Sequence, residues 1–238
     1  AWEAIERGAV ALVVERVLEA DVPQLVVPST REAMPVAADV FFGEPTKELE
    51  VVGVTGTNGK TTTSFLLRSM LEAASRPAGL VGTVEWIVGG ERLPAPFTTP
   101  EAIELQRLFR QMLDAGDRSA VVEASSHGSA LRRLDRVRFG ALVFTNLSQD
   151  HLDLHGTMED YFQAKRRLFV GAQPPPAAVN VGGEYGRRLA LELAERQRAP
   201  VLTFGIGEAA EIRPEGLEDR KSTRLNSSHM SESRMPSS

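Results

Sequence analysis

Residues 48–205 alternate nearly continuous apolar runs with segments whose apolar positions recur every three or four residues. The runs at 49–54, 79–84, 119–124, 141–146, 177–181 and 200–204 predict strands, and the spacing over 62–74, 101–115, 158–169 and 184–197 predicts amphipathic helices. Strands apolar on both faces and separated by helices predict an α/β fold: a mostly parallel sheet covered by helices on both faces. Ahead of it, residues 1–47 hold a helix fragment at 2–7, short strands at 9–14 and 24–27, and a helix over 31–42 interrupted early by Pro35. That is a small, partial α/β N-terminal domain, with Gly43-Glu44-Pro45-Thr46 as a linker. Ligands of parallel sheets bind beyond the carboxyl ends of the strands. Segments 55–61, 123–127 and 146–151 all follow strand ends and should converge on one crevice.

The first of these segments reads Thr55-Gly56-Thr57-Asn58-Gly59-Lys60-Thr61-Thr62-Thr63. Glycines let a backbone turn tightly around an anion with N–H groups pointing inward. The helix that follows adds unpaired N–H donors and partial positive charge at its N-terminus. Lys60 supplies a mobile cation for β- and γ-phosphates, and Thr61 a hydroxyl for Mg²⁺. The strict P-loop spacing would place a glycine where Val54 stands, so this is a P-loop variant. The segment predicts a user of nucleoside triphosphates.

Composition narrows the classes further. The net charge of −5 argues against a general nucleic-acid binder. The absence of cysteine excludes disulfides and thiolate metal sites. No apolar run reaches transmembrane length and no signal peptide opens the chain, so a cytoplasmic protein without membrane insertion is expected. Ala1 is not a start methionine, and the chain reads as a fragment. Seven of the 18 residues from Lys221 to Ser238 are serine and few are large and apolar, so this segment cannot build a core and reads as a non-native, disordered tail.

Other candidates lie after the strands. Glu123 ends an apolar run, where a carboxylate can hold Mg²⁺ beside a P-loop, although alone it is an ordinary solvated acid. His127, His151 and His155 cluster in the loops that face the crevice and can serve metal, phosphate or only local structure. Thr98-Thr99-Pro100-Glu101 has the form of a helix start, and a threonine there can also meet a substrate phosphate. Lys165, beside Arg166 and Arg167, reads on its own as a solvated lysine on a basic helical face.

Five motifs in order now carry a resemblance. They are Gly56-Thr-Asn-Gly-Lys-Thr-Thr62, Thr98-Thr-Pro-Glu101, Glu123-Ala-Ser-Ser-His-Gly128, Phe144-Thr-Asn-Leu-Ser-Gln-Asp-His-Leu-Asp153 and Tyr161-Phe-Gln-Ala-Lys165. From near Ala1 to about Gly205 the chain resembles the Mur ligases, in particular the branch that adds meso-diaminopimelate or L-lysine to UDP-MurNAc-L-Ala-D-Glu. The resemblance implies a cytoplasmic, monomeric enzyme of peptidoglycan precursor synthesis. ATP would phosphorylate the D-Glu side-chain carboxylate, and the amine of the diamino acid would attack the acyl phosphate. It implies that Gly56, Thr57, Asn58, Gly59, Lys60, Thr61 and Thr62 hold ATP. Thr61 and Glu123 would bind Mg²⁺, with His151 and a carbamylated Lys165 at a second Mg²⁺. Thr98, Thr99, Ser125 and Arg133 would contact the muramyl substrate. A position that is Gln in some relatives is Leu131 here, which removes one such contact.

The resemblance further implies a central ATP-binding domain over 48–220, a uridine-gripping domain of which 1–47 is part, and a C-terminal domain that is not in this sequence. A folylpolyglutamate synthetase-like ligase is the same-class alternative, but Thr61-Thr62-Thr63 stands where that family tends to continue with Gly-Ser. A nucleotide switch is a second alternative, and the Asn-Lys-x-Asp base-reading motif of GTPases is absent. A fragment that binds ATP without turnover is the third.

Overall fold

The computed structural model describes residues 1–150, 155–171, 173–196, 198–207 and 210–215. His151 and the serine-rich segment from Lys221 lie outside the described residues. The main body is an eight-stranded sheet of β3 (Glu50–Thr55), β4 (Ala78–Val81), β5 (Glu85–Val88), β6 (Glu91–Pro94), β7 (Ser119–Glu123), β8 (Phe139–Phe144), β9 (Ala177–Asn180) and β10 (Val201–Phe204), in the spatial order β10-β9-β8-β3-β7-β4-β5-β6. Pairings from β10 through β4 are parallel, and those of β4 with β5 and β5 with β6 are antiparallel. The α/β class and the mostly parallel sheet are as the hydrophobic pattern predicts.

Alternation along the strands assigns the two faces. Val51, Val81, Ala120 and Val122 pack with α4 (Ala102–Asp114) through Leu105, Leu108, Phe109 and Met112, which recur at one helical stripe. Val54, Leu80 and Val121 point the other way, toward Phe65, Leu67 and Leu71 of α3 (Lys60–Ala73). A further core joins Leu142, Phe144 and Val179 to Phe162 of α6 (Met158–Arg166) and Leu189 and Leu193 of α7 (Glu184–Arg196). Burial on both faces is what makes these strands read as unbroken apolar runs.

Three sequence expectations change. The run 79–84 leaves the sheet after Val81, because Gly82 and Thr83 turn away to meet Glu123. The β5–β6 hairpin was not expected, although Gly89-Gly90 at its turn, both at positive φ, is a hairpin signal. Helix α2 (Thr30–Phe41) runs through Pro35 rather than breaking there.

Ahead of the sheet lie α1 (Trp2–Glu6) and a separate parallel pair, β1 (Leu12–Val14) with β2 (Gln24–Val26). Helix α2 packs against α4. Its Asp39 has no exposed surface and receives both Arg138 nitrogens at 3.0 Å and Arg136 Nε at 3.3 Å. The stretch expected as a linker forms a 3₁₀ turn, Pro45–Lys47, with Thr46 buried and its hydroxyl accepting from Arg138 N at 3.2 Å. Removing one partner of a buried ion pair leaves the other unpaired. Asp39→Ala should therefore cost about 3 kcal/mol in urea unfolding. Lys47→Ala, which breaks only the exposed pair with Glu44, should cost less than about 0.5 kcal/mol.

Candidate nucleotide and metal site

Strand β3 is flanked by β7 and β8, so the loop leaving it lies between the ends of both neighbours. Gly56 has φ 150°, and a Cβ there would fall 1.9 Å from Thr145 Oγ1, so no other residue fits. Gly59, at φ 84°, is the N-cap of α3, which starts at Lys60 rather than at Thr62. Helix α3 begins its internal bonding with Thr63 N to Gly59 O at 3.0 Å. The amides of Lys60, Thr61 and Thr62 thus precede the helical ladder and form the anion-facing end.

The earlier part of the loop is pinned by β8. Asn146 accepts from Thr57 N through its carbonyl (3.0 Å) and from Asn58 N through Oδ1 (3.0 Å), and its Nδ2 donates to Asn58 O (2.9 Å). Thr57 Oγ1 lies 3.2 Å from Tyr161 OH and accepts from Ser148 N at 3.0 Å. The side chains of Thr57 and Asn146 therefore shape the loop. Asn146 follows an apolar strand directly, which is the signal that could have singled it out.

Glu123, at the end of β7, has no exposed surface. Thr61 Oγ1 donates to its Oε2 at 3.0 Å, which places hydroxyl and carboxylate side by side at the loop. Lys60 Nζ donates to Thr57 O at 2.8 Å and Gly56 O at 3.1 Å. Burial holds the Lys60 ammonium below its usual pKa, and the carboxylates of Glu123 and Asp150 oppose that shift.

Lys165 is not the solvated helical lysine that its neighbours suggest. It is 1% exposed, donates to the same Gly56 O at 2.9 Å, and sits 4.7 Å over the Tyr161 ring. Burial, with the charge of Lys60 added, pushes its pKa down to about 7, against the pull of Asp150. His155 stacks on Tyr161 with ring centroids 5.1 Å apart, and His127 meets His155 edge-on at 6.0 Å.

The expected substrate contacts gather beside Glu123. Thr99 Oγ1 donates to Glu123 O at 2.7 Å, lies 2.9 Å from Ser125 Oγ, and accepts from Ser125 N at 3.1 Å. Arg133 holds Thr99 O at 2.8 Å and Glu101 at 2.8 Å. Thr98 Oγ1 lies 3.0 Å from Thr83 Oγ1. Helix α4 does begin directly after Thr98-Thr99-Pro100-Glu101, but no threonine caps it: Glu101 is the N-cap, without a side-chain cap bond, and the Thr99 hydroxyl bonds to β7 instead. Among the described residues no group of three or more His, Asp or Glu is placed to hold a metal ion. A hydroxyl, one carboxylate and phosphate oxygens suit Mg²⁺, which keeps several waters.

The chain matches the Mur ligase middle domain over residues 54–236. It belongs to the Mur ligase family. It is 41% identical over 230 residues to a UDP-N-acetylmuramoyl-L-alanyl-D-glutamate–2,6-diaminopimelate ligase of Geobacillus thermodenitrificans, covering 92% of this chain and 45% of the relative. Identity to the ligase of the same name from Geobacter metallireducens is 44% over 220 residues, covering 88% of this chain and 42% of that one. A solved structure of a ligase so named superposes with TM-score 0.74 at 30% identity, over 88% of this chain and 43% of the other. The chain thus spans less than half the length of the curated relatives it matches. Among the described residues no helix is long and apolar enough to cross a membrane.

In this Mur ligase domain the structure brings Lys60, Thr61, Glu123 and Lys165 around one loop, with Thr98, Thr99, Ser125 and Arg133 on the adjoining rim. Thr83, Asn146 and Tyr161 complete it, and none was singled out as a site residue from sequence.

Folded Lys165 titrates near 7 and the unfolded side chain near 10.5. Between these values only the unfolded state holds the proton, so stability rises with pH across the window and the cost of the buried ammonium is complete below it. Lys165→Met removes that dependence. In CO₂-free buffer, its urea stability relative to wild type should shift in favour of wild type by roughly 3 kcal/mol from about pH 6 to about pH 9.

Proposed function

We propose that the protein containing this chain is an ATP-dependent amide ligase that joins meso-diaminopimelate to UDP-MurNAc-L-Ala-D-Glu. The observation that carries this is the pairing of Thr61 with Glu123 at the open end of α3, beside the buried Lys165, in a chain 41% and 44% identical to two diaminopimelate ligases. The same identities favour this acceptor over L-lysine and over a folylpolyglutamate synthetase-like reaction.

ATP is the phosphoryl donor. Its phosphates meet the amides of Gly59 through Thr62, and Lys60 exchanges the carbonyls of Gly56 and Thr57 for phosphate oxygens. Thr61 and Glu123 supply a hydroxyl and a carboxylate fitted to Mg²⁺. Bound there, Mg²⁺ would neutralise phosphate charge, the main need of phosphoryl transfer besides positioning. Thr98, Thr99, Ser125 and Arg133 orient the muramyl peptide so that its D-Glu carboxylate attacks the γ-phosphorus. ADP leaves, and the incoming amine attacks the carbonyl carbon of the acyl phosphate; the tetrahedral intermediate expels inorganic phosphate and gives up a proton, leaving the amide.

Lys165 fits carbamylation. An amine with pKa about 7 is largely neutral at physiological pH, and the neutral form attacks CO₂, releasing one proton and leaving a carbamate anion. Carbamylation takes this position from a neutral amine to an anion, which would suit a second Mg²⁺ shared with His151.

In the full-length protein, phosphate release from labelled ATP should require UDP-MurNAc-L-Ala-D-Glu and diaminopimelate together, with an amide product. Release indifferent to both would overturn the ligase reading. Lys60→Ala should abolish turnover; unchanged turnover would remove the P-loop role. Lys165→Ala should lose most activity and regain part of it with added short carboxylates. Normal activity of that variant in CO₂-free buffer, without rescue, would refute the carbamate.

A further inference from the structure

The turn Gly82-Thr83 lies outside every motif that carries the family resemblance, yet it is built against Glu123. Thr83 N donates to Glu123 Oε1 at 3.0 Å and Thr83 Oγ1 donates to Oε2 at 2.9 Å. One residue therefore holds both carboxylate oxygens, which fixes the plane of the group as well as its position. Gly82 is the other half of the seat. A Cβ there would lie 2.5 Å from Glu123 Oε1 and 3.2 Å from its carboxyl carbon, so the carboxylate occupies the space a side chain would take. Both residues have β-strand company before them, and they abandon the sheet after Val81 to reach Glu123. The Thr83 hydroxyl also lies 3.0 Å from Thr98 Oγ1.

From this geometry we infer that Thr83 is a positioning residue: it orients Glu123 toward the metal of the nucleotide site and ties that orientation to Thr98 on the substrate rim. The inference rests on the proposed ligase reading, in which Glu123 is a Mg²⁺ ligand. Thr61 and Thr83 both donate to Oε2, while Oε1 receives only the Thr83 amide among the bonds described. The Thr61 hydroxyl, the other group fitted to the metal, lies on the Oε2 side, so the Thr83 hydroxyl sets how that oxygen meets the cation. Mutating a partner that orients a metal ligand typically weakens metal affinity by about 10- to 100-fold. Without the Thr83 hydroxyl, Oε2 is held by Thr61 alone, whose hydroxyl is itself fitted to the metal, so that oxygen loses its one partner that is not a metal ligand. The Thr98 link gives the same hydroxyl a second partner across the crevice, so a muramyl substrate that moves Thr98 also acts on the metal ligand.

The test uses the full-length protein and reads metal binding directly. Free Mn²⁺, standing for Mg²⁺, is titrated by electron paramagnetic resonance in the presence of a non-hydrolysable ATP analogue, for wild type, Thr83→Val and Thr83→Ser. Thr83→Val should weaken Mn²⁺ binding by roughly tenfold, and Thr83→Ser, which keeps the hydroxyl, should restore it. Binding of the analogue without metal should be the same in all three, which a merely structural defect would not allow. In turnover, Thr83→Val should raise the Mg²⁺ concentration for half-maximal rate more than it lowers kcat at saturating Mg²⁺. Equal Mn²⁺ affinity for wild type and Thr83→Val overturns the positioning role while leaving the ligase reading intact. Equal loss in Thr83→Val and Thr83→Ser overturns it as well, since the hydroxyl is then not the cause. Failure of wild type to bind Mn²⁺ with the analogue removes the nucleotide-site reading itself, and this inference with it.

Discussion

The register of β3 between two parallel neighbours is the constraint from which the site follows. Val54 pairs with Glu123 of β7 on one side and with Val143 of β8 on the other, and Thr55 pairs with Phe144. Because all three strands run the same way, the chain leaves the sheet at one edge three times within one ladder step. Thr61 can then reach Glu123 across 62 positions of sequence, and Lys165 can reach Gly56 across 109. A slip of one residue would turn Glu123 to the opposite face. The hydrophobic burial that sets the register thus also places the chemistry.

Two ammonium groups converge on one carbonyl oxygen in this arrangement, Lys60 at 3.1 Å and Lys165 at 2.9 Å from Gly56 O. Each is held by burial below its usual pKa, and the charge of Lys60 depresses Lys165 further. The environments of the two differ. Lys60 stands on the first turn of α3, with Glu123 and Asp150 near enough to favour its charge, so it is the one suited to remain a cation for phosphate. Lys165 is almost wholly enclosed between Tyr161 and the loop, so it is the one whose proton is easily lost. One loop carbonyl sorts two chemically identical side chains into different roles by the surroundings each has.

Much of this was legible in the sequence because the responsible forces act locally. Apolar runs gave β3, β7, β8, β9 and β10 to within a few residues, and the glycines, Lys60 and Thr61 marked the loop. What was not legible depends on partners distant in sequence. Thr83 is β-branched and follows an apolar run, so it reads as strand; only the nearness of Glu123, 40 residues later, pulls it out of the sheet. Thr98 and Thr99 have the chemistry of a helix cap, but the N-cap of α4 falls on Glu101, and the Thr99 hydroxyl bonds to Glu123 and Ser125 from distant strands and loops instead. Lys165 has arginines on its C-terminal side that suggest solvent, but those arginines turn to Glu192, Asp135 and Ser129 while the lysine faces inward. Local propensity cannot rank such alternatives.

The small N-terminal unit reaches the rim of the site through charge rather than through the apolar core. Arg31 of α2 binds Glu101, Glu101 binds Arg133, and Arg133 holds the carbonyl of Thr99. A second contact joins Glu32 to Arg132, and the buried Asp39 clamps Arg138 at the start of β8. Arg132 and Arg136 adopt positive φ, at 58° and 74°, a conformation unfavourable for side chains of this kind. Both are engaged with acids of α2, so the segment between α5 (Ser126–Ala130) and β8 is bent to serve that junction. Displacing α2 would therefore be felt at Thr99 through three consecutive polar contacts. Exposed pairs of this type contribute little stability one by one. Their shared geometry fixes where the first unit stands relative to Thr99 and Arg133, so position here is set by the chain of contacts rather than by the strength of any one of them.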